Sequence, residues 1–449
     1  MIRHGLRPTL LVLLATAVSH PFFADGKQAK AFPGAEGFGA SATGGRGGRV
    51  LLVTSLRDYA RGRKPVPGTL RAAIETKGPR IVVFRVSGTI ALVDKLVIGN
   101  PDITIAGQSA PGGGICLKDR SVIIAAPNVV VRHLRVRPGD EPVSEFRERG
   151  KRFEPDAISI NQGARNIIVD HCSASWAIDE VLSVSGKGIT DVTVQWCIIS
   201  ESLNQSAHSK GKHGYGSLLR CNGNITFHHN LYTQHSSRCP RPGTYGDGSI
   251  LLDFRNNVIH NGKGYSGADA VRMNYVGNHI RTSQGAGFYV GGAETKVFVD
   301  RNFQVGLGRK NESQWKLIGK AKPTNKRSKP FPAVSVRTTS AQDAFQAVLA
   351  AAGATLPRRD AVDRRLVTDV QKGKMSLIDS QEDVGGWPRL STTSPRRDSD
   401  SDGMPDKWET MFGLSLGKDD SSGDPDGDGY TNIEEFLNAT DPKQAVDRR

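Results

Sequence analysis

From about residue 80 the chain sets short apolar runs between polar breaks rich in Gly, Asn and Asp. Ile81-Val82-Val83-Phe84, Val129-Val130-Val131, Ile167-Ile168-Val169, Val192-Thr193-Val194, Ile225-Thr226-Phe227, Ile250-Leu251-Leu252 and Val297-Phe298-Val299 are examples. They are too short for helices and rich in β-branched residues, so they predict buried strands. Several are followed by a polar pair and then a small or amide residue at one register: Cys172, Cys197, Asn230, Asn257, Asn278 and Asn302. The 21 to 33 residues between these positions match one coil of a solenoid. Asn suits a recurring turn, because it tolerates left-handed backbone and its amide can hydrogen-bond from coil to coil. The pattern predicts an all-β chain built as a right-handed parallel β-helix. A sandwich or propeller would want two-residue hairpin turns such as Asn-Gly, which are sparse here.

Outside this region the pattern changes. Arg3, His4 and Arg7 precede the apolar run Leu10–Ala15, which reads as a signal peptide over residues 1–24 and predicts export, to the periplasm or outside the cell. That run is too short to span a bilayer, and no later segment has the length of a membrane helix. The solenoid is placed at residues 31–307. Residues 308–397 form a basic extension and linker, beginning with Arg309, Lys310, Lys316, Lys320 and Lys322, with a short helix expected near Phe345–Ala352 before Gly353. Residues 398–442 carry two spaced acidic loops. Asp398, Asp400, Asp402, Asp406 and Glu409 fit positions 1, 3, 5, 9 and 12 of an EF-hand-type loop, with Gly403 at the sharp turn; Asp424, Asp426, Asp428, Asn432 and Glu435 repeat the pattern around Gly429. Short helices between the loops favour a dockerin-like calcium module, with adhesion, tethering to a surface or scaffold partner, or rigidity as its role.

Composition narrows the partner. The formal net charge is +15, which favours a polyanion. Nucleic acid is disfavoured, since no aromatic-and-basic strand motif of the known modules occurs. The five cysteines are an odd number without a CxxC pair, so zinc is not expected, and Cys172 and Cys197 read as small core residues rather than a disulfide. Glu154 and Asp156, two apart before a strand-like run, can face one cation, and oxygen ligands suit calcium. Asp179 and Glu180 precede a similar run. Asp170-His171 reads as a structural pair. His228 and His229 are adjacent and so poorly placed to share an ion. Trp176 and Trp196 read as packing residues.

Residues 31–305 resemble polysaccharide lyase family 1, the pectate lyases. The resemblance is carried by Ala31-Phe32-Pro33-Gly34-Ala35-Glu36-Gly37-Phe38-Gly39, Gly68-Thr69-Leu70-Arg71-Ala72-Ala73-Ile74, Val86-Ser87-Gly88-Thr89-Ile90, Asp156-Ala157-Ile158, Val169-Asp170-His171, Ile225–Asn230 and Arg238-Cys239-Pro240-Arg241. It implies a parallel β-helix and calcium held by Glu154, Asp156 and Asp179. A further acid, usual four residues after the last, is Ser183 here. Glu180 is a candidate to compensate for that serine, but strict strand alternation would turn it away from Asp179. The ion is therefore expected to bind weakly until a substrate carboxylate adds oxygens. The resemblance also implies Arg238 as base, Arg241 as a substrate-binding arginine, and Lys212, with Lys210 as the alternative, as a lysine facing substrate. The implied reaction is β-elimination on polygalacturonate or a related acidic glycan, with an alkaline optimum, by a monomer. A β-helix glycoside hydrolase and a non-catalytic acidic-glycan adhesin are the alternatives. Hydrolysis wants two carboxylates flanking the bond, and product absorbance from a new double bond would separate the two reactions.

Overall fold

A computed structural model of the chain describes residues 29–246, 248–283, 285–307 and 313–446. The apolar N-terminal run, Arg309 and Lys310 lie outside the described residues. The architecture is a parallel β-helix whose walls are three long parallel sheets, of eleven, nine and six strands. Each coil gives one strand to a wall. Arg165–Asp170 lies on the long wall, Ser173–Ser175 on the second and Leu182–Ser185 on the third, and the chain returns to the long wall at Thr190–Gln195. Apolar side chains stack in register up the inside, as in Ile167 beside Val192 and then Ile225. One continuous core results, with Phe227, Phe254, Tyr275 and Phe288 fully buried in its C-terminal half.

The corner between the long and second walls carries the asparagine ladder. Asn230 N–H donates to Asn257 Oδ1 at 3.0 Å, Asn257 N–H to Asn278 Oδ1 at 3.0 Å, and Asn278 N–H to Asn302 Oδ1 at 2.9 Å. Cys197 N–H donates to Asn230 Oδ1, so the cysteine position belongs to the same ladder, and all five cysteines are free and buried. The left-handed residue is the one before each rung. His171, Trp196, His229 and Asn256 have φ between 49° and 59°, and the ladder asparagines themselves do not need it. Because consecutive corners align, His133, His171, Trp196 and His229 form a ring stack outside the core, with neighbouring centroids 4.3 to 5.9 Å apart. Asp170 accepts from His171, Arg132 and Gln195, which ties three coils together. Trp176 is fully buried.

The C-terminal third wraps this cylinder. Helix Ala341–Ala351 is capped by Ser340, and Gly353 beyond its end has φ of 87°. Helix Ala361–Gln371 buries Val362, Leu366 and Val370 and also carries charge into the interface. Arg137, fully buried, pairs with Asp360 and Asp363, and Asp363 accepts from the Ser173 hydroxyl. A guanidinium taken out of water requires such partners. Residues 398–442 also pack on the solenoid: Met404 and Ile433 are buried against Ile81 and Val83 of the long wall.

Candidate active site

The candidate residues sit on the loops that feed the third wall. Asp156 precedes strand Ile158–Asn161, Asp179 and Glu180 precede Leu182–Ser185, Lys210 and His213 precede Leu218–Arg220, and Arg238 precedes Arg241–Gly243. These strands are paired neighbours, so side chains a few residues before each one converge. Single bridges from Glu180 to Tyr215 and from Tyr215 to Ser237 carry the coil-to-coil register past the strand ends.

The result is a cleft of about 310 Å³ lined by Asp179, Glu180, Lys210, Arg238 and Arg241, with His213, Arg220 and Tyr265 at its margins. Asp156, Asp179 and Glu180 each bring a carboxylate oxygen within 4.8 Å of the others. The expectation that Glu180 faces away from Asp179 is therefore corrected. Asp179 lies in a bend rather than a pleated strand, so the two-residue alternation does not reach it. Asp156 accepts from the Ser159 hydroxyl at 2.7 Å and from the Glu180 N–H at 3.1 Å. Burial, and then the neighbouring Asp179 charge, push its carboxyl up to about 7. Burial acts the same way on Asp179, but His213 and His208 outweigh it and hold that carboxyl below its usual range. His213 Nε2 lies 2.6 Å from Asp179 Oδ1.

Glu154 stands at the edge of this group. It accepts from the Ser209 N–H at 2.7 Å, and its other oxygen is 3.9 Å from His208 Nε2, which is itself 3.6 Å from Asp179. Glu154 thus reaches the cluster through a histidine. Arg238 pairs with Glu180 and lies over the Tyr215 ring, 4.2 Å from its centroid. Its φ of 60° turns the side chain out of the strand path toward the acids. Arg241 is held by Asp269 at 3.1 Å. Lys210 lines the cleft, whereas the preferred Lys212 is not among its lining residues. His208, His213 and Tyr215 are not among the site residues that the sequence points to, and Glu180 is weighed there only as a carboxylate turned away. His208 and His213 lie in a Ser/Gly/Lys loop without strand or helix periodicity, and only their spacing of five hints that they could stack, as they do at 3.7 Å. The oxygen-only group of Asp156, Asp179 and Glu180 fits a hard cation such as calcium.

A second acidic centre lies in the C-terminal module. Asp398, Asp400 and Asp402 form one close group, and Asp402, Glu409 and Asp420 another. All five carry buried oxygens without a hydrogen-bond partner, as do Asp426, Asn432 and Glu435 of the second loop. Asp424 accepts from the Gly427 and Gly429 N–H groups, and Asp428 from those of Tyr430 and Val446. Asp406 differs from expectation. It begins helix Asp406–Phe412 and turns its carboxylate to the Ser399 N–H and hydroxyl, at 2.7 and 2.8 Å, while Asp420 joins the group instead.

No family model matches the chain. Curated relatives do. The probable pectate lyase C of Aspergillus flavus is 34% identical over 436 residues, covering 92% of this chain and 94% of that protein. The probable pectate lyase C of Emericella nidulans is 32% identical over 434 residues, with 92% and 93% covered. Probable pectate lyase 6 of Arabidopsis thaliana is 33% identical over 165 residues, 35% of each chain. Among solved structures, jun a 1, the major allergen from cedar pollen, shares the fold, with a TM-score of 0.50 at 18% identity over 71% of this chain and 92% of that one. With a third of its residues shared along nearly the whole length of its fungal relatives, the chain belongs to the pectate lyase family.

Proposed function

We propose that the protein is a secreted, calcium-dependent lyase that cleaves polygalacturonate, or a related acidic glycan, by β-elimination. One observation carries the reading: the Arg238 side chain lines one cleft together with Asp179 and Glu180, whose carboxylates gather with that of Asp156. The family membership supports the lyase chemistry, and the N-terminal apolar run supports export.

Asp156 and Asp179 are the residues suited to hold calcium, with Glu154 at the margin. Bound there, calcium would draw charge from a substrate carboxylate and favour the enolate-like charge that builds beside it. Arg241 and Lys210 offer cations to neighbouring uronate carboxylates. Arg238, acting as the neutral guanidine that alkaline solution favours, is the base that takes the C5 proton and so becomes a guanidinium. The electron pair left behind forms the C4–C5 double bond, the C4–O bond breaks, and solvent protonates the departing sugar oxygen. The Tyr215 ring and the Glu180 carboxylate fix the guanidinium from two sides, which limits its freedom before substrate arrives. Lysine at position 212 remains a candidate for the outer part of a long substrate.

The test is an ultraviolet assay over a panel of acidic polysaccharides, with and without chelator. New conjugated-alkene absorbance that vanishes with chelator is the expected result. Reducing ends without that absorbance would mean hydrolysis, and glycan binding without turnover would mean an adhesin. The C-terminal loops are proposed as two further calcium sites, the first using Asp398, Asp400, Asp402, Glu409 and Asp420, the second Asp424, Asp426, Asp428, Asn432 and Glu435.

A further inference from the structure

We infer that Glu180 supplies the carboxylate that Ser183 lacks and that it exchanges partners, holding Arg238 in the ion-free cleft and calcium in the loaded one. The inference rests on the lyase reading and names a residue for the same site. Ser183 lies within strand Leu182–Ser185 on the third wall, in register with Ser159, and its buried side chain is a hydroxyl. No charge is available from that position. Glu180 is three residues earlier and only 3% exposed. Its N–H donates to Asp156 Oδ1 at 3.1 Å, so its backbone is already fixed against the proposed calcium ligand. Its carboxylate lies within the same 4.8 Å group as Asp156 and Asp179.

A second observation points into this group from the opposite side. His213 is 5% exposed, and its Nε2 stands 2.6 Å from Asp179 without meeting hydrogen-bond geometry. Asp179 is therefore shared by two groups, the carboxylates of Asp156 and Glu180 on one hand and the imidazoles of His208 and His213 on the other, with Arg238 paired to Glu180 beside them. Like charges this close repel strongly at low dielectric. A divalent cation relieves that repulsion more fully than one guanidinium shared by its edge. Once Glu180 turns to the ion, Arg238 loses its carboxylate partner, keeps the Tyr215 face, and is free to meet the sugar. Ion binding and readiness of the base become one event, with Glu180 as the positioning residue that links them.

The experiment has two parts. Crystals of the full chain soaked in calcium should show the ion bound by Asp156, Asp179 and a Glu180 oxygen at about 2.3–2.6 Å, the ordinary calcium–oxygen range. An ion held without Glu180, with Glu180 still on Arg238, overturns the inference, and this part needs no variant to fold. In turnover assays, Glu180→Gln should raise the half-saturating calcium concentration by about tenfold, as loss of one ligand charge weakens such sites. Adding Ser183→Asp to Glu180→Gln should bring that concentration back toward the starting value, which a merely structural defect at Glu180 would not allow. An unchanged calcium requirement in Glu180→Gln overturns the inference. Calcium seated on Glu180 in a protein that forms no unsaturated product from any uronate would leave the inference standing and remove the lyase reading.

Discussion

In the proposed reaction Arg238 is the base, and its surroundings define what a substitution removes. Arg238→Ala deletes the proposed base but leaves Asp156 and Asp179 in place, so turnover should fall by about 10²–10⁴-fold while calcium still binds. Initial rates of alkene formation check the first part, and calcium titration checks the second. Asp156 gives a separate expectation. Its carboxyl, raised to about 7 by burial and by Asp179, holds a proton at mildly acidic pH in the ion-free protein. Calcium needs the carboxylate, so binding must expel that proton. Apparent affinity should therefore rise with pH and level off above neutrality, with the half-saturating calcium concentration about tenfold higher at about pH 6 than on the plateau. A flat dependence across this range would show that Asp156 is not a ligand.

At the scale of elements, the asparagine ladder explains why the coils keep register. Asn257 accepts from both the N–H and the side-chain amide of Asn230, and donates to the Phe227 carbonyl. Asn257→Ala strands several buried polar groups at once, each costing about 1–3 kcal/mol, so the loss should reach about 3 kcal/mol or more. Asn302 ends the ladder at Gln314 and is 6% exposed where Asn257 is fully buried, so Asn302→Ala should cost less. Denaturant unfolding of both variants measures the difference. This ladder was legible in the sequence because one residue type recurs at coil spacing. The left-handed position before each rung was not, since it holds His, Trp, Asn or Gly and shows no single signature. The site divides in the same way. Asp156, Asp179, Arg238 and Arg241 sit beside recognisable short motifs and do share one region. Glu180 was misplaced because alternation was applied to a bend. His208 and His213 were missed because a loop has no period to betray which way its side chains point. The helix at Ala361–Gln371 was missed as well: its buried face mixes Val and Leu with Asp363, which makes sense only beside Arg137.

At the scale of the whole molecule, the C-terminal acidic module packs on the first coils of the solenoid. Met404 and Ile433 are buried on Ile81 and Val83. Arg85 pairs with Asp398 at 3.1 Å, and Arg46 with Glu434 at 2.9 Å. Gly403, with φ of 94°, lets the loop approach so closely that an added Cβ would meet Val50 at 2.8 Å. Loop geometry and docking are thus one structure, and whatever organises the loops also secures the first coils of the solenoid. Without an ion the loops concentrate like charge. Burial first, and then neighbouring acids, push Asp402 to about 7, Glu409 to about 8 and Glu435 to about 7. A carboxyl raised on folding takes up protons in the folded chain, so its contribution to stability is present below its unfolded value of about 4 and is lost as pH climbs through the folded one. The ion-free module should therefore weaken steadily from acid to mildly alkaline pH. Calcium in the proposed sites would reverse this by replacing the protons, and an ion present at about a hundred times its dissociation constant would add about 2.7 kcal/mol per site. The unfolding temperature should then differ less between calcium and chelator at about pH 5, where Asp402, Glu409 and Glu435 already hold protons, than at about pH 8. Scanning calorimetry at the two pH values reads this directly. Glu409→Gln should narrow the gap at the higher pH by removing both a ligand charge and a source of repulsion. An equal gap at both pH values would mean that these acids hold no ion and that the module is fastened by its apolar face and two arginine pairs alone.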